Sequence, residues 1–402
     1  MTSTHPGLLV AEVILGKGRV RPVWAGHPWV YAQAVKTLRG APAAGDPVRV
    51  LDESGRFLGS GFWSPKSALV VRIASRTDGE HLDTGWLARR IDAAAALRRA
   101  LGFPSATDTG YRLINAEGDS LPGLIVDVYG DTATVLFGTI GMWRLAEDIY
   151  AHVQRVTGAK RVIALAADRQ AHEEFTQAHE VTRGTEADAL RFVERGMAIT
   201  VPSTITQKTG YYFDQREQRA RVEQLAKGRD VLDAFSFIGS FGFAAARGGA
   251  TSVLSVDSSV AATTAGVAVT KELGFMERHT FLTQDVKQAL PELARDGKRY
   301  GLVIVDPPKL VPSAKHLERG REAYRKLNQN ALRLVAPGGF LVSCSCSAAM
   351  RADDFLRTLS IAAADVGRSV SLLHLGQQAP DHPIPPAFSE GAYLKTAFLA
   401  VS

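Results

Sequence analysis

The first 76 residues consist of short apolar runs separated by clusters of Gly, Pro and Asp. The runs are LLVAEVIL (8–15), PVRVLD (47–52), FLGSGFW (57–63) and ALVVRIAS (68–75). Short runs rich in β-branched and aromatic residues, bounded by turn formers, are typical of β-strands. The pattern therefore predicts a small β-barrel in this part of the chain.

A helix and a second β-rich stretch follow the predicted barrel. Apolar residues at helical spacing between Leu87 and Leu101 predict a helix over 84–102, ended by Gly102 and Pro104. The segment GLIVDVYGDTATVLFG (123–138) predicts a hairpin around Gly130-Asp131. A helical run over 143–157 and the strand RVIALAA (161–167) complete a central β-rich α+β region.

From about residue 200 the pattern alternates between strands and helices. The apolar strands are DVLDAF (230–235), TSVLSVD (251–257), GLVIVDPP (301–308) and GGFLVSCS (338–345). This alternation predicts an α/β domain with a doubly wound, Rossmann-like sheet. We expect three domains, with boundaries at 1–78, 79–198 and 199–402.

Charge and cysteine content narrow the range of partners and compartments. The net charge is +6, and residues 1–104 contain 14 of the 47 basic and 8 of the 41 acidic residues, so the whole excess lies there. That placement indicates contact with a polyanion or an ordinary basic surface. No secretion signal or membrane-spanning run is visible in the sequence, and Cys344 and Cys346 suit neither a disulfide nor a metal site. We therefore expect a cytoplasmic protein that neither binds a metal ion nor associates with a membrane.

The segment VLDAFSFIGSFGFAAA (231–246) has the pattern of a nucleotide-binding turn between a strand and a helix. It contains Gly239 and Gly242 but lacks the third glycine of the dinucleotide motif. Asp257 ends the next strand, where an acid can bond a ribose diol, and Asp285 follows a third strand, within reach of an adenine amino group. Together these residues indicate a cofactor that contains adenosine but no pyrophosphate.

Four ordered motifs resemble one family, the bacterial ribosomal RNA large-subunit cytosine-C5 methyltransferases of the PUA-containing type. The motifs are Gly210 to Arg216 in QKTGYYFDQREQR (207–219), the turn DAFSFIGSFG (233–242), VIVDPPK (303–309) and SCS (345–347). The resemblance covers nearly the whole chain, since GRVRPVWAGHPWVYAQAV (18–35) is similar to the family's PUA domain and RLINAEGDSLPGLIVDVYGD (112–131) to its central domain. Two positions depart from the family pattern, namely Ser236 and the pair Asn115-Ala116.

The resemblance implies S-adenosylmethionine as cofactor and assigns residues to it. Phe213 and Asp214 border its methionine end, Asp233, Phe235 and Gly239 line the first turn, Asp257 holds the ribose, Asp285 the adenine, and Asp306 faces the site. It also implies that Cys346 is the nucleophile. Carbon 5 of cytosine becomes nucleophilic only after a thiolate has added to carbon 6, so this reaction needs such a thiol, an acid and a base.

The segment Asp306-Pro307-Pro308-Lys309 follows a strand and is expected to face the substrate, with Asp306 acting in catalysis. Strand periodicity places Cys344 and Cys346 on the same face, but Cys346 is nearer the carboxyl end of the strand. From the residues alone, both cysteines could equally be small buried hydrophobes. A motif of the DPP type also occurs in amine methyltransferases and does not define the atom that is methylated.

The implied partner is RNA, specifically 23S ribosomal RNA. The sequence leaves open whether the chain also forms a homodimer. Arg19 and Arg21 are the expected contacts with the RNA backbone, whereas single aromatic residues near them belong to the barrel core more readily than to a stacking surface. Arg89, Arg90, Arg98 and Arg99 form either a second RNA contact or a solvated helix face. Rival interpretations are methylation of a base nitrogen, a non-catalytic RNA-binding assembly factor and, more remotely, a nicotinamide oxidoreductase.

Overall fold

The computed structural model describes residues 11–166, 173, 175–186, 188–205 and 209–402. The chain forms two compact units. The first comprises Met1–Gly196, Thr206–Tyr211 and Asp381–Phe388, and the second Met197–Ile205, Tyr212–Pro380 and Ser389–Ser402, each within the described residues. The three-domain division at 78 and 198 stays a prediction.

The first unit begins with a six-stranded sheet, and four of its strands fall in the predicted apolar runs. Its elements are β1 (Ala11–Leu15), α1 (Val20–Trp24), β2 (Trp29–Tyr31), β3 (Val35–Arg39), β4 (Pro47–Leu51), β5 (Phe57–Trp63) and β6 (Leu69–Ser75). The strand order is β2-β6-β5-β4-β1-β3, and β1 runs parallel to β4. Val13, Val48 and Val71 are fully buried in the core of this sheet. Residues 8–10 of the first predicted run lie outside the described residues.

A long helix and a five-stranded sheet complete the first unit. The elements are α2 (Thr84–Ala100), β7 (Gly110–Asn115), β8 (Leu124–Tyr129), β9 (Thr132–Phe137), α3 (Ile140–Trp143), α4 (Ala146–Thr157), β10 (Arg161–Leu165), β11 (Glu180–Arg183) and β12 (Ala189–Glu194). The sheet order is β11-β10-β9-β8-β7. The hairpin at Gly130-Asp131 is confirmed, and α2 ends two residues before the predicted limit. The helical run predicted over 143–157 becomes the separate helices α3 and α4, and Ala167 of the strand predicted after it lies outside the described residues.

The second unit has the predicted Rossmann-like architecture. Its elements are β13 (Met197–Pro202), α5 (Arg216–Leu225), β14 (Asp230–Ala234), α6 (Ser240–Arg247), β15 (Ser252–Asp257), α7 (Val260–Glu272), β16 (His279–Thr283), α8 (Val286–Arg295), β17 (Tyr300–Val305), α9 (Leu317–Leu334), β18 (Val335–Ser345), α10 (Ala352–Asp365), β19 (Val370–Gly376) and β20 (Lys395–Val401). The order is β16-β15-β14-β17-β18-β20-β19, in which β20 runs antiparallel to both neighbours.

The strands at the centre of this sheet are buried on both faces. Val231, Leu232 and Ala234 in β14 are fully buried, as are residues 302–305 in β17. Parallel strands covered by helices on both sides carry such continuous apolar runs, which explains why the sequence pattern identified them. Chain order reverses between β14 and β17, so a ligand crevice is expected where these two strands end. In the part of the chain that the structure describes, no helix is long and apolar enough to cross a membrane.

Candidate functional site

The turn after β14 and the segment after β17 lie side by side at the reversal of strand order. Ala234 is paired with Val305, and the Asp306 amide donates to the Ala234 carbonyl at 3.2 Å. Parallel pairing thus carries Phe235 and Asp306 to the same edge of the sheet. This edge is where open α/β sheets bind their ligands.

The turn between β14 and α6 has an unusual backbone conformation. Phe235, Phe237 and Gly239 have φ angles of 63°, 53° and 86°, which are unfavourable for the two phenylalanines. A Cβ at Gly239 would lie 2.8 Å from the Phe281 ring, so glycine allows close packing there as well as the turn. The surroundings must compensate for such strain, and the neighbouring acid Asp257 does so.

Asp257 holds the turn through both of its carboxylate oxygens. Its Oδ2 accepts a hydrogen bond from the Phe237 amide at 2.9 Å, and its Oδ1 accepts one from the Ser259 amide at 2.9 Å. Each carboxylate oxygen has two lone-pair positions, so capacity remains for a ligand hydroxyl. The predicted ribose acceptor is therefore also the residue that fixes the first turn.

Asp285 lies beyond the end of β16, next to the strand that carries Asp257. The strand stops at Thr283, which pairs with Asp257, and the Gln284 amide donates to the Asp257 carbonyl at 3.0 Å. Asp285 is exposed and caps α8, since its Oδ1 accepts from the Lys287 amide at 2.8 Å. Its expected contact with adenine stays a prediction.

Asp233 faces the interior of the fold. Its Oδ2 accepts hydrogen bonds from the Gly242 amide at 3.0 Å and the Ser255 hydroxyl at 3.2 Å, whereas the buried Oδ1 has no partner in the structure. Burial raises the pKa of Asp233 to about 7, against the effect of these two bonds. The geometry shows Asp233 tying β14 to α6, behind the turn that it was expected to line.

The segment before α5 brings further polar groups to the crevice. Asp214 Oδ2 accepts from the Tyr393 hydroxyl at 2.7 Å, while its buried Oδ1 has no hydrogen-bond partner among the described residues. Gln215 Nε2 donates to Asp306 Oδ2 at 3.1 Å. Phe213 is fully buried, with the Arg216 guanidinium 5.4 Å from the centre of its ring. An unsatisfied carboxylate oxygen at this position fits the cationic amino group of a methionine moiety.

Tyr212 connects the two groups of acids, although the sequence did not single it out. Its ring packs edge to face on Phe237, with the centroids 5.8 Å apart. The pKa of its phenol is raised to about 12, mainly by burial. The charges of four nearby groups raise it further, namely those of Asp306, Asp214, Cys346 and Asp257. The charges of these four groups therefore act on one phenol, so the structure brings four of the predicted site residues near one another.

Asp306 is the most perturbed acid on the substrate side. Burial, and after it the neighbouring Asp214, raise the pKa of Asp306 to about 7, although hydrogen bonds from Gln215 and Cys344 act in the opposite direction. Among the three residues that follow, Pro307 is buried, whereas Pro308 and Lys309 are exposed. A pKa raised this far allows both the protonated and the ionised form of the carboxyl group to occur near neutral pH.

The two cysteines differ in both position and environment. Cys344 is fully buried in β18, its Sγ lies 3.5 Å from the Thr396 hydroxyl, and burial raises the pKa of its thiol well above the usual value. Cys346 is partly exposed and lies one residue beyond the end of β18. The expectation that one strand holds both cysteines was therefore wrong.

Hydrogen bonds of Ser347 explain why the strand ends there. Its Oγ accepts from the Val311 amide at 3.1 Å, and its carbonyl accepts from the Met350 amide at 3.0 Å. The same carbonyl accepts from Lys395 Nζ at 2.7 Å. These bonds hold the backbone just after Cys346, which follows the last residue of the strand, Ser345.

The predicted RNA contacts lie outside the second unit. Arg19 and Arg21 are exposed in and beside α1 of the first unit, and Trp24 in the same helix is 61% exposed. Arg98, in contrast, is 1% exposed and forms a bidentate ion pair with Asp119, so it belongs to neither an RNA contact nor a solvated face.

Within the described residues, no cluster of side chains suits a metal ion.

Comparison with known proteins agrees with this geometry. Residues 13–76 match a PUA-like domain, and residues 157–398 match the S-adenosylmethionine-dependent methyltransferase family. The ribosomal RNA large subunit methyltransferase I of Alteromonas mediterranea is 35% identical over 96% of this chain and 97% of its own length. The protein of the same name from Pseudoalteromonas atlantica is 37% identical over 96% and 98%.

A solved structure supports the fold. A candidate SAM-dependent methyltransferase from Streptococcus mutans superposes with a TM-score of 0.83 at 22% identity, covering 98% of this chain and 100% of the other. The match spans the length of both chains and supports the fold alone. The chain belongs to the S-adenosylmethionine-dependent methyltransferase family and, within it, to the family of the ribosomal RNA large subunit methyltransferase I proteins.

Proposed function

We propose that this enzyme methylates carbon 5 of a cytosine in large-subunit (23S) ribosomal RNA and that Cys346 is the nucleophile. The class of RNA follows from the names of the relatives. The observation that carries the reaction type is the partly exposed thiol of Cys346, placed beyond β18 with Asp306 and Tyr212 in its surroundings. Methyl transfer to a base nitrogen requires no such thiol.

S-adenosylmethionine supplies an electrophilic methyl group on a sulfonium. In the proposed sequence, the Cys346 thiolate forms a bond to carbon 6 of the cytosine, and carbon 5 would then bond to the methyl group as the bond between that methyl group and the sulfonium sulfur breaks, leaving a neutral thioether. A base removes the proton from carbon 5, and β-elimination releases the thiolate and restores the aromatic ring. None of these steps is an oxidation or a reduction, so the sequence requires no oxidant or reductant.

Asp306 is suited to assist this addition. Negative charge develops on the base as the thiolate adds, and a protonated carboxyl can stabilise it by donating to ring nitrogen 3. A pKa of about 7 leaves a substantial fraction of Asp306 protonated at neutral pH. Gln215 donates to Oδ2 and thereby fixes the orientation of the carboxyl group.

The same geometry supports our assignment of the cofactor residues. We place the methionine end at Asp214, whose buried Oδ1 has no protein partner, and the ribose at Asp257. Phe235 and Gly239 shape the turn against which the cofactor packs, and Asp285 remains our candidate for the adenine. Pro307, Pro308 and Lys309 border the substrate, while Arg19 and Arg21 contact the RNA backbone.

RNA that carries 5-fluorocytidine at the target position tests the mechanism. Fluorine at carbon 5 cannot leave as a proton, so elimination stalls and the protein stays bound to the RNA. The wild-type protein and Cys344→Ser should give a complex that survives denaturing electrophoresis, whereas Cys346→Ser should give none and should lose methylation but retain cofactor binding.

Two outcomes would contradict the proposal. Trapping through Cys344 would show that the buried thiol is the nucleophile. Methyl transfer by Cys346→Ser, together with the absence of trapping, would move the methylated atom from carbon to nitrogen. Mass-spectrometric mapping of modified nucleotides in ribosomal RNA from a deletion strain would then identify the product.

A further inference from the structure

Lys395 is a buried lysine at the start of β20, on the strand next to the one that leads to Cys346. It pairs with Ser345, the last residue of β18, and the residue as a whole is 5% exposed. Its Nζ donates to the carbonyls of Ser347 and Tyr393, both at 2.7 Å. The ammonium group thus binds the backbone immediately after Cys346.

No carboxylate lies within ion-pair distance of this ammonium group in the part of the chain that is described. Burying a cation without an anion is costly, and buried lysines are therefore normally paired. Burial lowers the pKa of Lys395 to about 8, while the charge of Cys346 raises it and that of Lys309 lowers it. A thiolate at Cys346 would supply the negative charge that favours the protonated form of this lysine.

Three of the described titratable groups near Cys346, namely Tyr212, Tyr324 and Cys344, are neutral at pH 7. Burial raises the pKa values of Tyr212 and Tyr324 to about 12, and that of Cys344 well above its usual value. Asp306, which also lies near both tyrosines and Cys344, is negative when ionised and neutral when protonated, so it supplies no positive charge. Lys395 supplies positive charge on this side of Cys346, and Lys309, whose charge acts on Lys395, is a second described cation nearby.

We propose that Lys395 is a positioning residue that keeps Cys346 in its thiolate form and holds the turn that carries it. The positive charge favours the thiolate directly, and the hydrogen bond to the Ser347 carbonyl fixes the backbone beside the nucleophile. A thiolate is the reactive form of cysteine, so the lysine increases the fraction of enzyme that is ready to add to the base. The catalytic use of this thiolate rests on the proposed function, whereas its ionisation does not.

The rate of alkylation of Cys346 by iodoacetamide, measured against pH on the full-length protein, tests this inference. Tandem mass spectrometry of the peptide that contains both cysteines identifies which of them is modified. Lys395→Met keeps the length and burial of the side chain but removes its charge, so the midpoint for Cys346 should rise by about 1–2 pH units. Lys395→Arg keeps the charge, and its midpoint should lie near that of the wild type.

The exposed Lys271 in α7 provides a matched control. Lys271→Met makes the same chemical change at a solvated position and should leave the alkylation midpoint unchanged. In methylation assays, activity of Lys395→Met at pH 7 should fall about tenfold or more and recover as the pH rises towards 9. A merely structural defect would not be corrected by raising the pH.

An unchanged alkylation midpoint in a Lys395→Met protein that still binds cofactor would overturn the inference. Loss of trapping in Cys346→Ser alongside that result would leave the proposed function intact. Conversely, a raised midpoint together with methylation by Cys346→Ser would confirm the effect of Lys395 on the thiol but refute the role of the thiol in the reaction. The two proposals therefore fail separately.

Discussion

Replacement of Asp257 tests the cofactor site most directly. Its carboxylate accepts two backbone hydrogen bonds of 2.9 Å, one from the turn at Phe237 and one from Ser259. If it also accepts from the ribose, Asp257→Ala removes a charged acceptor from both the turn and the ligand. Hydrogen bonds to charged groups contribute about 1.5–3 kcal/mol each, and part of this loss is recovered by water in an accessible site.

We therefore expect Asp257→Ala to weaken binding of S-adenosylmethionine by about 1–3 kcal/mol, equivalent to a dissociation constant roughly 5- to 150-fold higher. Asp257→Asn keeps one acceptor oxygen but cannot satisfy both amides, so its affinity should lie between those of Ala and the wild type. Isothermal titration calorimetry measures both values. Asp230→Ala, at the opposite end of the same sheet and bonded to the Ser252 hydroxyl, should bind cofactor normally.

A cofactor analogue without the ribose hydroxyls separates the two contributions. The wild-type protein should bind this analogue more weakly than S-adenosylmethionine, because the ribose contact is lost. The remaining difference in affinity for the analogue between the wild type and Asp257→Ala should then reflect only the loss of support for the turn. A loss in the variant that is equally large for both ligands would limit Asp257 to a structural role. Wild-type affinity for S-adenosylmethionine in a folded Asp257→Ala protein would remove the residue from the site altogether.

Two further predictions concern the first unit. Charge reversal at Arg19 and Arg21 should weaken RNA binding and make it less dependent on salt concentration, because phosphate contacts release counterions, while cofactor affinity should not change. If filter-binding assays give the double variant the salt dependence of the wild type, this surface does not contact the RNA. Arg98→Met should destabilise the unit by about 3–5 kcal/mol in denaturant titrations, because Asp119 would be left buried without its partner, whereas the exposed neighbour Arg99→Met should cost little. Equal stability of the two variants would contradict the importance of that ion pair.

Local patterns were sufficient to predict the elements that surround the site. The strand β17 is an almost continuous apolar run, and β14 is apolar apart from Asp230 and the buried Asp233, as burial on both faces of a parallel sheet favours. The acids at the ends of these strands could be predicted to meet because parallel strands end at one edge. Periodicity of this kind depends on neighbours within a few residues, which a single sequence shows directly.

Contacts between distant segments could not be predicted in this way. Lys395 reaches the turn after Cys346 only because β20 is inserted between β18 and β19, and strand order is not encoded in local periodicity. A lysine in the otherwise apolar strand KTAFLAV (395–401) was the one available signal. Asp381 is similar, since it accepts from the Arg112 amide at 3.0 Å across 269 residues.

The clustering of acids in the crevice is consistent with a cationic cofactor. Asp214 and Asp306 are close enough for the charge of one to raise the pKa of the other, and Asp257 faces the same phenol of Tyr212. Bringing carboxylates together in a partly buried site is unfavourable unless positive charge offsets the repulsion. S-adenosylmethionine carries a sulfonium and an ammonium group, whereas the product that remains after methyl transfer has lost the sulfonium charge. The acid cluster should therefore favour the methyl donor over the spent cofactor, so that the same electrostatics that weaken the empty site would assist release of the product.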